Sequence, residues 1–428
     1  MVTLPQSRFV KPVGSRFVLE GKDYFVYSAN YWQAMNLGSS GPKGDRSKLL
    51  QDLDFMKSKG INNLRLMASS EGPDTEPFRM TPSLMTSPGV YNEQVLDGLD
   101  FALSEISKRG LTAVLCFNNF WHWSGGFSQY VSWITNTSIP YPPSWSAELG
   151  DYTDHALGEI EGSKSWESFI EYSKRFYNDP EVAPIAQNMY FAHVKFILNR
   201  RNPYTGLLYC DDPSIFSLEL CNEPQTPTFE WCNETAKYFK SLAPNHMVTV
   251  GLESKFDQLD FNQAHSSEYI DYCTNHIWVQ NRGEYDMLDP REENINHAIE
   301  WGIEVVGRCN SWALELCKPL VLEEFGFPRD NFSAEEKSKI YSHENPICNR
   351  DRYYSALLSR AVKIRQQGGS YCGFGFWVYS GCSRPLENDW IGDPHHEAPG
   401  WYGIYDKDES TLNIMQNIAD SASLINDF

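Results

Sequence analysis

The chain has no apolar run approaching the ~20 residues needed to cross a bilayer as a helix. It also lacks a glycine-rich phosphate loop, a Gly-x-Ser-x-Gly elbow, a His-Glu-x-x-His pair and any Cys-x-x-Cys. These absences argue against a membrane span, nucleotide-dependent chemistry, serine hydrolysis and a metal centre, so no cofactor is expected. Positive charge is scarce: 36 Lys and Arg face 56 Asp and Glu, a formal net charge of −20. Nucleic acid and acidic membrane surfaces would be repelled, whereas a neutral ligand is indifferent to that field. The opening Met-Val-Thr-Leu-Pro-Gln-Ser-Arg carries no basic-then-apolar secretory signal, which reads as a cytosolic chain or a processed one, and localisation stays open between the two. Of ten cysteines, Cys116, Cys221, Cys273 and Cys372 lie in apolar strand-like runs and read as buried thiols. The other six, Cys210, Cys232, Cys309, Cys317, Cys348 and Cys382, could pair, but no spacing dictates how.

What is present is length, aromatic side chains and a regular alternation. The 428 residues fit one α/β barrel with enlarged loops, and no repeat or linker divides the expected single domain, 1–428. The 13 Trp and 23 Tyr suit sugar binding, where flat rings pack on pyranose C–H faces, although most must simply fill the core. Short apolar runs predict strands over 24–29, 61–67, 111–119, 215–221, 247–252, 272–278, 320–324 and 373–379. Amphipathic stretches predict helices over 46–59, 92–109, 185–201, 229–242, 292–317, 351–367 and 412–424. Eight strands separated by helices point to a closed (β/α)8 TIM barrel, with a small hairpin near 17–23 before it. Long segments at 120–184, 225–229 and 328–350 all follow strands and would rise around one face, the C-terminal one.

Two of the strand-like runs end in carboxylates: Ser217-Leu-Glu-Leu-Cys-Asn-Glu-Pro224 and Leu320-Val-Leu-Glu-Glu-Phe-Gly326. A strand end holds a side chain rigidly beside a cleft, and strands four and seven can converge over a barrel mouth. Glu223 and Glu324 are then the minimum equipment for cleaving a glycosidic bond with retention. One carboxyl, Glu223, gives a proton to the leaving oxygen, and Glu324 attacks the anomeric carbon from about 5 to 5.5 Å away. Negative charge on Glu324 is expected to raise the pKa of Glu223 and keep it protonated. Asn222, beside the acid, suits a hydrogen bond to the sugar 2-hydroxyl. An isolated Glu at a strand end would be a solvated loop residue; a matched pair makes that reading the weaker one. His395-His396 reads as substrate contact or loop structure rather than a metal site, and His122 as a packing or sugar-contacting residue. Trp121 and Trp123, in Gly/Ser-rich surroundings, read as a binding platform.

On these segments the chain resembles glycoside hydrolase family 5, in its mannan-active branch. Asn222-Glu223-Pro224 is similar to the family's acid/base motif and Glu324-Phe325-Gly326 to its nucleophile motif, which leaves Glu323 as a structural neighbour. The resemblance implies that Arg65 braces the nucleophile, that His276 stands at the cleaved-sugar site and that Trp377 forms the floor beneath that sugar. It extends through Asn30-Tyr-Trp-Gln-Ala-Met-Asn-Leu-Gly38, Ser69-Ser-Glu-Gly-Pro-Asp74, Asn118-Asn-Phe-Trp-His-Trp-Ser-Gly-Gly126, Gln129-Tyr-Val-Ser-Trp133 and Gly392-Asp-Pro-His-His-Glu-Ala-Pro-Gly-Trp-Tyr402. Asn119, Trp121, Trp123 and Trp278 join the expected substrate-binding set. Two positions depart from the pattern. Gln225 stands where many similar endo-mannanases have an Arg on the leaving-group side. Trp278 stands where a Tyr commonly bonds the nucleophile, with Tyr379 a candidate substitute.

The implied activity is retaining hydrolysis of β-1,4-mannosidic bonds in mannan or manno-oligosaccharides, with transglycosylation as a side reaction, by a monomer. The long loops and Gln225 favour an exo-acting β-mannosidase over an endo-β-1,4-mannanase, with a cellulase or a non-catalytic sugar-binding barrel as more distant alternatives.

Overall fold

Parallel strands that are apolar on both faces need cover on both, and here helices supply one cover while the strands, wrapped into a cylinder, supply the other. In the computed structural model, which describes residues 8–146, 151–153, 165–331, 340–385, 390 and 392–423, eight parallel strands form this cylinder. They are β1 (Val26–Asn30), β2 (Asn63–Met67), β3 (Thr112–Cys116), β4 (Ile215–Glu219), β5 (Met247–Thr249), β6 (Cys273–Ile277), β7 (Leu320–Phe325) and β8 (Tyr371–Phe376). Their order is β5-β4-β3-β2-β1-β8-β7-β6. The two ends, β5 and β6, are joined by Asp271 N to Val248 O (2.8 Å), Thr249 Oγ1 to Tyr272 O (2.9 Å) and Thr274 Oγ1 to Leu252 O (3.0 Å). The fold is the expected (β/α)8 barrel.

Each strand is followed by a helix that packs outside: α1 (Arg46–Ser58), α2 (Glu93–Lys108), α3 (Ala183–Leu198), α4 (Phe229–Leu242), α5 (Gln258–His265), α6 (Glu292–Glu315), α7 (Cys348–Gln366) and α8 (Glu409–Ser423). Side chains of Asp45, Asn92, Thr228 and Asp257 accept from the free N–H groups that open α1, α2, α4 and α5. Helix α5 is absent from the sequence expectation, because its eight residues, Gln-Leu-Asp-Phe-Asn-Gln-Ala-His, carry little apolar periodicity and Asp257 is its main signal. Strand β5 stops at Thr249, short of the expected 252, because Gly251 takes φ +81° and turns the chain away. The excursion after β3 contains two further helices, Gly126–Thr135 and Trp166–Asn178. Its parts 147–150 and 154–164, the stretch 332–339 after β7, and the expected helix end at 424 lie outside the described residues.

A three-stranded antiparallel hairpin unit (Lys11–Val13, Arg16–Leu19, Lys22–Asp23) closes the N-terminal end of the cylinder. Phe17 from this unit packs edge-on against Phe216 (5.2 Å) and Tyr272 (5.3 Å), within an apolar layer that includes Val26, Val114 and Val321. The lower barrel is therefore a packed plug, interrupted by the hydrogen-bonded Ser28, Asn63 and Thr112. All ten cysteines are free, so none of the six left open forms a bridge. No helix among the described residues is long and apolar enough to cross a membrane.

Candidate active site

Glu324 occupies the fifth position of the six-residue strand β7 and is 2 % exposed. Strand alternation would send Glu323 and Glu324 to opposite faces. Pairing of β6 with β7, however, passes from Asn275–Leu322 directly to His276–Glu324, leaving Glu323 as the extra residue of a bulge. Both carboxylates consequently reach the barrel interior. Glu223 lies beyond the end of β4, in a turn where it adopts φ 51° although it is not glycine. Such a left-handed backbone costs of order 1–3 kcal/mol and persists only where the surroundings fix it. Here Glu223 N donates to Gly251 O (2.9 Å) and Gln225 Nε2 donates to Glu223 O (2.8 Å).

A carboxylate oxygen from each of Glu223 and Glu324 and a ring nitrogen of His276 all lie within 4.8 Å of one another. Beneath them Arg65, 5 % exposed, spreads its guanidinium as a hub. Its Nε and Nη2 grip Glu219 (2.6 and 2.5 Å), Nη1 donates to Asn30 Oδ1 (3.0 Å) and to Glu324, and Nη2 reaches Asn222 Oδ1 (2.7 Å). Burial opposes the guanidinium charge, but Glu219, Glu323 and Glu324 outweigh it and hold the Arg65 pKa well above its ordinary value. His276 is set between the carboxylates, with Nδ1 2.6 Å from Glu223 Oε1 and 3.3 Å from Glu324 Oε2, and Nε2 3.2 Å from Glu323 Oε2. Burial again works against charge, and Glu324 together with hydrogen bonds to all three acids overrides it, so His276 is an imidazolium at neutral pH. A metal ion at this trio would have to displace that proton and sit beside Arg65, so the arrangement suits a proton-transfer pair rather than a cation site.

The protonation of Glu223 differs from the sequence expectation. Burial pushes its pKa up, but the His276 hydrogen bond and charge, then Lys255 and the Trp121 N–H, pull it down to about 2. Trp121 Nε1 donates to Glu223 Oε2 (2.7 Å) and Trp278 Nε1 to Oε1 (3.2 Å). The sequence shows the like charge on Glu324 but not the cation that the fold inserts between the two acids. In the free site the proton therefore rests on His276.

The pocket above is a cavity of about 360 Å³. Asn222, Trp121, Trp123, Trp278 and Trp377 from the expected substrate-binding set line it, together with both carboxylates. Arg65, His276 and Asn119 do not; they stand behind, and Asn119 Oδ1 accepts from Asn222 Nδ2 (3.1 Å), fixing how that amide is turned. Gln225 is 3 % exposed and spent on the turn, so it does not face the cavity. Tyr379 is not a partner of the candidate nucleophile: it is buried among Tyr31 and Phe55, and Arg65 and His276 hold Glu324 instead. Trp278, in the position of the missing Tyr, donates to Glu223. His122 is a packing residue between Tyr141, Phe169 and His396, whereas His396 lines the cavity as a neutral ring whose pKa burial lowers to about 3.

Sequence reasoning missed Glu253, Lys255, Asn281, Arg282, Glu397 and Tyr402, all on the cavity wall. Glu253 bridges Lys255 (2.8 Å) and Arg282, from the segments after β5 and β6. Burial brings the Lys255 pKa down to about 8, with Glu223 and Asp260 resisting. Glu397, in the segment after β8, has a pKa held well above its ordinary value by burial, then by Asp393, Glu223 and Glu324. Its only signal in the sequence was the resemblance of the segment 392–402.

The GH family 5 beta-mannosidase-like family matches residues 7–427. A glycoside hydrolase family 5 mannosidase from Rhizomucor miehei is 40% identical, with a TM-score of 0.89 over 97% of this chain and 98% of its own. An endo-1,4-beta-mannanase from the same organism shares the fold at 20% identity, TM-score 0.65, over 97% and 99% of the two chains. A putative mannan endo-1,4-beta-mannosidase 9 from Oryza sativa subsp. japonica is 28% identical over 95% of this chain and 88% of its own length. The chain is a glycoside hydrolase and belongs to the β-mannosidase-like members of glycoside hydrolase family 5.

Proposed function

We propose that the protein is a retaining, exo-acting β-mannosidase that removes mannose from the ends of β-1,4-linked manno-oligosaccharides, working as a monomeric single-domain catalyst. The observation that carries this reading is the meeting of the Glu223 and Glu324 carboxylates within 4.8 Å, too close for the intervening water of an inverting enzyme, which needs roughly 6.5–9.5 Å between its two carboxyl groups. Glu324, bound by Arg65, attacks the anomeric carbon while Glu223 protonates the leaving oxygen. Glu223 then takes a proton from the water that releases the glycosyl group. Asn222 receives the 2-hydroxyl and Trp377 stacks beneath the ring. A sugar hydroxyl in place of that water gives transglycosylation.

Three features support a blind pocket over an open cleft. The segment after β8 brings Pro394, His396, Glu397 and Tyr402 to the wall, and the excursion after β3 brings Trp121, Trp123 and Trp166. Gln225 offers no cation to a leaving-group sugar. The 40% identical neighbour is named a mannosidase, and a variant of it is described in complex with mannosyl-fructose. Endo action is the second reading, favoured by the curated plant relatives named mannan endo-1,4-beta-mannosidases. Products from mannohexaose over time, with activity on p-nitrophenyl β-mannoside, decide between them. Mannose alone from the first points, with the aryl mannoside cleaved, is expected. Early mannobiose and mannotriose with the aryl mannoside untouched would overturn the exo reading.

A further inference from the structure

Glu323 is the unassigned acid of the cluster. It is the bulged residue of β7, 4 % exposed, and its Oε1 is buried with no hydrogen-bond partner. Its Oε2 instead accepts from His276 Nε2 at 3.2 Å and lies 3.8 Å from Arg65 Nε. With Nε2 thus committed, Nδ1 of the same ring is the atom directed at Glu223 Oε1, 2.6 Å away.

We propose that Glu323 is a positioning residue that makes His276 the proton reservoir of Glu223. This rests on the reading of Glu223 as the acid/base. The ligand-free pair is an imidazolium and a carboxylate. When a glycoside fills the pocket, the Nδ1 proton passes to Glu223, leaving neutral His276 with its Nε2–H still bonded to Glu323. Glu223 gives that proton to the leaving oxygen as the C–O bond breaks and a Glu324 oxygen bonds to the anomeric carbon. Glu324 is then a neutral ester, so His276 has lost the carboxylate that favoured its charge and stays neutral, leaving Glu223 a free base. Glu223 takes a proton from water, hydroxide replaces Glu324 on the anomeric carbon, and the proton returns to Nδ1 once Glu324 is again an anion. No proton is gained or lost over the cycle beyond that of the hydrolysed water.

The groups that face His276 support this division. Glu223, Glu323 and Glu324 touch the ring, Arg65 and Glu219 lie behind it inside the barrel, and Lys255 and Glu397 lie on the pocket side. Arg65 binds Glu219 and Glu324 directly and lies 3.8 Å from Glu323, whose carboxylate accepts its one side-chain hydrogen bond among the described residues from the imidazole.

The test is the pH profile of kcat/KM for phenyl and 2,4-dinitrophenyl β-mannosides with the wild type, Glu323→Gln and Glu323→Leu. The first leaving group needs protonation and the second does not. Glu323→Gln keeps the shape and can still accept from Nε2–H, so it carries the test if Glu323→Leu fails to fold. Expected is an alkaline limb moved to lower pH by about 1 to 3 units, the range a lost neighbouring charge produces. At neutral pH kcat/KM should fall about 10²-fold on the phenyl mannoside, the scale of general-acid catalysis, and far less on the dinitrophenyl one. An equal loss on both substrates with an unmoved limb, or no loss at all, overturns the proposal. Glu223→Gln on the same pair separates the two levels. If it shows the leaving-group discrimination and Glu323→Gln does not, only the reservoir fails; if it shows none, the acid/base reading falls and this one with it.

Discussion

Glu324 stands next to last in strand β7 and is bound by Arg65, a group whose charge never leaves it, while Glu223 stands on a left-handed turn and is bound by two indole N–H groups and an imidazole. One side of the pocket has fixed electrostatics and the other has electrostatics that a proton can reverse. The two chemical tasks ask for this difference. A nucleophile must stay an anion until it bonds carbon, and a guanidinium in a rigid barrel ensures that. An acid/base must change state twice per turnover, which needs a partner whose own proton moves at working pH.

The comparison breaks most completely if the fixed side is removed. Glu324→Ala should lower kcat on p-nitrophenyl β-mannoside by roughly 10⁵-fold or more, as loss of a nucleophile does. Calorimetric affinity for a manno-oligosaccharide should stay within about threefold, because hydrophobic and hydroxyl contacts persist. Surviving turnover would remove Glu324 from the nucleophile role. Arg65→Lys tests the same side more gently. A lysine keeps the charge but cannot grip Glu219 through two nitrogens while also reaching Glu324, so a loss of about 10²- to 10³-fold is expected. That loss should be equal for good and poor leaving groups; a loss confined to poor ones would mean that Arg65 serves the acid instead.

On the convertible side the effects should be smaller and should depend on the leaving group. Trp121→Phe removes the 2.7 Å donor from Glu223 Oε2 and keeps the ring. A hydrogen bond to a charged group is worth about 1.5–3 kcal/mol, so kcat/KM should change by roughly 10-fold or more. Because the lost donor stabilised the carboxylate, the acidic limb of the profile should move to higher pH. An unmoved limb would mean that Trp121 acts only as a stacking surface.

The same contrast explains what the sequence disclosed. Strand-borne groups were legible: Glu324 stands near the end of an apolar run whose length identifies a buried strand, and Arg65 and His276, on strands of the same kind, were singled out by the family resemblance. Glu223 was legible through Asn222 and Pro224 around it. What a linear reading lacks is the register between strands. The bulge that turns Glu323 inward depends on how β6 pairs with β7, and without it Glu323 reads as facing the opposite side from Glu324. Glu223 protonation likewise depended on His276 reaching it from 53 residues away, and the cavity wall of Glu253, Lys255, Arg282 and Glu397 is assembled from three separate loops. The local sequences of those loops carry no periodicity or cap that would single the residues out.

The mildest expected effect concerns the support of the convertible side rather than its chemistry. Glu71, fully buried after β2, receives Gly126 N on Oε2 (2.9 Å), and its own N–H donates to Ser124 O (2.8 Å). It clasps the loop that carries Trp121 and Trp123. At Gly125, φ +91°, any side chain would collide with the Glu71 backbone, so the clasp is close. Burial raises the Glu71 pKa to about 8, against the opposing pull of the Gly126 hydrogen bond and Arg79. A carboxyl whose folded pKa exceeds its unfolded value near 4.5 is held protonated by folding. Its contribution to stability is therefore fully present below about 4.5, declines as pH rises, and levels off above about 8. Glu71→Gln is neutral throughout and should lack this decline. The melting temperature of the variant relative to the wild type should rise between pH 5 and pH 8, by roughly 3 °C or more. A difference in melting temperature that stays constant across that interval would mean that Glu71 is already ionised in the fold, paired with Arg79 instead of clasping the loop as a neutral acid.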